Sequence, residues 1–97
     1  MSKERKNDLT ELRSEINEIN DEMLRLFLRR MEVSGSIAAY KKEHGLPIPD
    51  QAREQEILAE VGEKAGSMAP YARRFFASLM ELSRAYQDSL SSSEEVG

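Results

Sequence analysis

The chain has 97 residues, room for one domain and no more. Fourteen Lys and Arg stand against 18 Asp and Glu, a formal charge of -4 with a pI near 5.1, which argues against a nucleic-acid partner, since such domains are normally basic. With no Cys, a disulfide framework and a thiolate metal site are excluded, and a single histidine, His44, speaks against a His-based metal site. In chain order, residues 1–7 read as a frayed tail. The segment Met1 to Asp8 lacks the apolar stretch of a signal peptide, and no apolar run approaches the ~20 residues of a membrane span. The expectation is a soluble cytoplasmic protein with no membrane partner.

The first helix is expected over residues 9–43. Leu9, Leu12, Ile16, Ile19, Met23, Leu26, Arg30, Val33, Ile37 and Tyr40 are spaced three and four residues apart in strict alternation, an unbroken heptad seam. Asp8 and Glu11 form a capping box at its start. Lys41 and Lys42 sit in its last turn, Gly45 supplies a left-handed stop, and Pro47 forbids continuation. At ~1.5 Å per residue such a helix is roughly 50 Å long, whereas a compact domain of this size has a radius of gyration near ~13 Å. The economical cover for so long a seam is a second copy of the chain, so a homodimer is expected.

Leu46-Pro47-Ile48-Pro49 reads as a short stiff connector. Asp50 is the expected N-cap of a second helix running to about Lys64, with Ile57, Leu58 and Val61 on its apolar face and Gly66 ending it. A third helix is expected over 70–89, with Pro70 at its first position. It carries two stripes: Phe75, Leu79, Leu82 and Tyr86, then Phe76, Met80, Ser83 and Gln87. Ser91 to Gly97 read as a tail. Residues 88–97 hold Asp88, Glu94 and Glu95 and no base, so without them 15 acids face 14 bases. The fold class is all-α: three helices with a long N-terminal helix, in a helical homodimer. No strand pattern or internal repeat is present, and one domain spans residues 1–97.

Chemistry is sought where polar residues interrupt apolar stripes. Arg30 occupies a core seam position, and burying its charge needs a partner that no other seam residue supplies. It serves either as a register-setting polar residue or as the anchor of an anionic ligand. Arg13 and Lys41 flank the seam at the same heptad position, either as solvated edge charges or as part of a site. Arg13 lies roughly 25 Å along the helix from Arg30, too far for both to grip one small molecule from one strand of helix. An antiparallel dimer would bring Arg13 of one chain towards Arg30 and Lys41 of the other. Arg53 and Glu54 open the second helix, where Glu54 leans inward or simply favours the helix dipole. Ser83 and Gln87 either mark a fading stripe or place polar groups at a pocket.

Taken together, Leu12-Arg13-x-x-Ile16-x-x-Ile19, Arg30, Ile37-x-x-x-Lys41, Pro47-x-x-Asp50-x-x-Arg53-Glu54 and Ser83-x-x-x-Gln87 resemble the all-helical (AroQ-class) chorismate mutases over about residues 9–88. The resemblance implies an intertwined three-helix homodimer with two equivalent sites, which converts chorismate to prephenate in phenylalanine and tyrosine biosynthesis. It implies that Arg13 reaches into the partner's site and that Arg30 binds a carboxylate within its own. Lys41 and Gln87 would be the catalytic pair on the ether oxygen. Glu54 and the Asp50 backbone would hold the substrate hydroxyl, and Arg53 and Ser83 would make further polar contacts. Asn17 and Asn20 stand where the family often has Asp. Arg84 stands where an apolar residue is common. The chemistry needs no metal or cofactor. Isochorismate-pyruvate lyase shares this fold and much of the pocket, and a non-catalytic dimerisation module would share the seam.

Overall fold

A computed structural model describes residues 8–96, with side chains for 8–91. The described chain is all-α. Helix α1 spans Leu9–Glu43, α2 spans Gln51–Ala65, a single 3-10 turn covers Gly66–Met68, and α3 spans Ala69–Val96. Local chemistry sets each boundary. Asp8 starts α1: its carboxylate accepts the Thr10 N–H at 2.9 Å and its carbonyl accepts the Leu12 N–H. At the other end Leu46 N–H donates to the Lys41 carbonyl and Gly45 N–H to that of Lys42. Gly45 has φ 67°, the left-handed conformation that closes a helix in this pattern. Asp50 caps α2 by accepting the Arg53 N–H at 3.0 Å.

The sequence suggested three helices; the described chain forms two helical stretches, Leu9–Glu43 and Gln51–Val96, because a 3-10 turn at Gly66–Met68 rather than a loop joins α2 to α3. Gly66 turns the chain with φ 60°, and the 3-10 turn feeds directly into α3. Past this fold, Arg84 lies opposite Glu54 and Arg73 opposite Gly62, which makes α2 and α3 antiparallel. The Arg73 guanidinium lies over the Cα of Gly62, filling the space a side chain would need. Helix α3 also continues to Val96, beyond the end read at residue 89. Neither Pro nor Gly occurs between Pro70 and Gly97, so no residue there forces a stop.

The chain divides after Glu32 into two units. In residues 8–32 no side chain is buried, and the seam residues Leu9 to Leu26 are 39% to 58% exposed. Residues 33–91 contain the buried positions. Ala38 and Met80 are the buried hydrophobics, Ser34 and Ser83 the buried polar residues, and no large side chain among the described residues is fully buried. Here the end of α1 lies along α3, with Tyr86 and Leu90 within about 3.3 Å of where a Gly35 Cβ would sit.

Candidate active site

The unit 33–97 holds six of the eight residues singled out from the sequence. On α3 the inward stripe is Phe76, Met80, Ser83 and Gln87: Met80 and Ser83 are buried, Phe76 and Gln87 half-buried. The more apolar stripe, Phe75, Leu82 and Tyr86, is exposed, with Leu79 half-buried. Polar groups therefore sit on the buried face. Gln87 Nε2 donates to the Ser34 carbonyl at 2.8 Å, joining α3 to α1. One of its two amide N–H bonds is used in this way.

Lys41 lies two turns beyond Ser34 on the same side of α1, roughly 10 Å along the axis. Its Nζ donates to the Ile48 carbonyl at 3.0 Å, and the side chain is half-buried. Prolines on both sides of Ile48 stiffen the connector that presents this carbonyl. An ammonium has three donors, so anchoring one still leaves a directed cation. Lys41 and Gln87 thus share a side of α1, each held by a different backbone carbonyl.

At the start of α2, Asp50 acts as a cap through both its carboxylate and its carbonyl, the latter accepting the Glu54 N–H at 3.1 Å. Arg53 is exposed and pairs with Glu56 at 3.1 Å, a solvated pair within one helix that contributes little to stability. Glu54 leans inward with its side chain 24% exposed, and both its oxygens accept from Arg84 Nη1, at 2.6 and 2.5 Å. Arg84 follows the buried Ser83, so this ion pair borders the same stripe.

Arg13 and Arg30 belong to the other unit, where Arg13 is exposed and Arg30 half-buried. Among the described residues no His, Cys, Asp and Glu cluster could hold a metal ion, and no helix is long and apolar enough to cross a membrane.

Residues 12–88 match the chorismate mutase type II family, a span that runs from the seam of α1 to the last polar residue of the α3 stripe. The chain belongs to the chorismate mutase type II family. Among its relatives, the bifunctional chorismate mutase/prephenate dehydratase of Buchnera aphidicola is 35% identical over 79 residues, 78% of this chain and 20% of that protein. The T-protein of Haemophilus influenzae is 39% identical over 64 residues, 63% of this chain and 17% of that protein. The chain thus spans a fifth or less of the length of these curated relatives. No solved structure matches it.

Within this type II domain the sequence had marked Arg84 only as a departure from an apolar position. Its pairing with Glu54 depends on the antiparallel register of α2 and α3. A sequence signal existed: an arginine beside an inward stripe, and an inward acid at the start of the preceding helix.

Proposed function

We propose that this chain is a chorismate mutase that rearranges chorismate to prephenate as a homodimer with two composite sites. The observation that carries the reading is family membership over residues 12–88, a span that includes all eight polar site positions. The reaction is unimolecular: the ether C–O bond breaks as a new C–C bond forms, with no net proton or electron transfer to the protein. The protein has two tasks. It holds a flexible dicarboxylate in its compact reactive shape. It also stabilises negative charge that develops on the ether oxygen.

Arginines serve the first task, because a planar guanidinium pairs with a carboxylate through two parallel bonds. Arg30 of one protomer and Arg13 of its partner take the two carboxylates. Lys41 and Gln87 serve the second task as donors to the ether oxygen, and their anchors on the Ile48 and Ser34 carbonyls support that role by limiting their motion. Glu54 and the backbone at Asp50 hold the ring hydroxyl, with Arg53 and Ser83 contributing further polar contacts. The dimer is supported by the exposed seam. An apolar stripe this continuous, with Ala38 and Met80 the only buried hydrophobics described, is the mark of a surface meant for a partner.

Product analysis tests the reading. Incubation with chorismate should yield prephenate, whereas incubation with isochorismate should release no pyruvate. Pyruvate from isochorismate without prephenate from chorismate would assign the chain to the lyase. No turnover of either, together with no melting shift from a dicarboxylate transition-state analogue, would leave a dimerisation module.

A further inference from the structure

The Arg84–Glu54 pair joins residues 30 apart in sequence, one on each of the two antiparallel helices. Arg84 Nη1 reaches both carboxylate oxygens, so a guanidinium compensates the Glu54 charge. Glu54 is half-buried and the Arg84 side chain 43% exposed, so solvent reaches the pair from the Arg84 side and screens it in part. The carboxylate keeps acceptor capacity, since two oxygens offer about four lone-pair sites and Arg84 occupies two.

This pairing bears on what the carboxylate can recognise. An uncompensated carboxylate binds an ammonium more strongly than a hydroxyl, because the first bond is charge-assisted from both sides. A carboxylate already paired with arginine behaves differently. An incoming ammonium would lie beside the guanidinium, and like charges so placed are costly. A neutral hydroxyl meets no such repulsion and can still donate to a remaining lone pair. We propose that Arg84 is a specificity-determining residue, which through its ion pair with Glu54 makes the site select a ring hydroxyl over a ring amine at the same position of the dicarboxylate substrate. The proposal rests on the chorismate mutase reading of Glu54. Arg84 acts through Glu54, as a positioning residue that also sets the local charge.

The experiment measures calorimetric affinities of the whole protein for two probes: a cyclic ether dicarboxylate bearing a hydroxyl, and the same compound with an amino group in its place. The wild-type chain should prefer the hydroxyl probe. In Arg84→Met, which keeps an aliphatic stem, the ratio of affinities should move towards the amino probe by about tenfold or more. Arg84→Lys should restore the wild-type preference. Glu54→Gln should move the ratio the opposite way, because Arg84 then stands uncompensated. An unchanged ratio in Arg84→Met, or equal weakening of both probes, would overturn the proposal and leave a structural bridge between helices. Should Arg84→Met not fold by circular dichroism, the Glu54→Gln ratio decides alone, and no movement there overturns the proposal. If the hydroxyl probe binds but the ratios stay fixed, only the role of Arg84 falls. If neither probe binds the wild-type chain, the mutase reading fails and this inference fails with it.

Discussion

Residues 8–32 and residues 33–91 are built from the same kind of amphipathic helix, yet they differ in what they bury. The first stretch buries nothing, although its seam is the most regular pattern in the chain. The second buries Ser34, Ala38, Gly62, Met80 and Ser83, four of them small and two of those polar. Regular patterning and burial within one chain are therefore separate matters. A helix gains most of its stability by packing an apolar face rather than by propensity. The regular stretch leaves its seam exposed, whereas the irregular one has folded on itself around polar contacts.

The largest effect should come from breaking that seam. Ile19→Asp places a charge at its centre in both copies of a dimer, and the loss should be on the order of 3 kcal/mol or more per chain. Light scattering should show the mass fall to that of one chain, with activity lost. A variant that kept its dimeric mass would assign the seam no role in association. On the self-folded side, Lys41→Ala should lower kcat by about 10²–10³-fold with a much smaller change in KM. Steady-state kinetics on chorismate check this, and unchanged kcat removes Lys41 from the reacting atoms.

A milder test uses both regions at once. Mixing Arg13→Ala and Lys41→Ala chains should restore about a quarter of wild-type activity, since half the dimers are mixed and each has one intact site. A mixture that stays inactive after subunit exchange argues against a site shared between protomers. The smallest effect is local to α2. Asp50→Ala removes a cap worth about 1 kcal/mol, which should lower the Tm by roughly 4–8 °C in a thermal melt. No shift would mean that the cap at 3.0 Å contributes nothing measurable.

Much of this is legible in the sequence alone. The seam, Asp8, Gly45 and Pro47 marked both ends of α1, because each boundary signal acts within a few residues of itself. The Asp50 cap was legible for the same reason. The inward face of α3 was not. The sequence showed two stripes without saying which one is covered; Ser34 lies opposite the Met80–Ser83–Gln87 stripe and Glu54 beside it, and hydrogen bonds and charge pairing occupy that side. The end of α2 at Gly66 was legible, but the 3-10 form of the turn was not, since a 3-10 turn needs no composition of its own. Arg84 escaped because an ion pair across 30 residues depends on a register that single-chain spacing does not encode.

The bond from Lys41 to the Ile48 carbonyl has a consequence for the order of assembly. It closes only seven residues, and the links from Leu46 to Lys41 and from Arg53 to Asp50 close still fewer. Loops this short cost little entropy to close, and contacts of low sequence separation form early in folding. The Gln87–Ser34 bond spans 53 residues and must wait for α3 to arrive. Pulsed hydrogen exchange during refolding should find the Leu46 and Arg53 amides protected before the central amides of α3, and the reverse order would overturn this. The Lys41 end of α1 and its connector are then in place while α3 is still arriving.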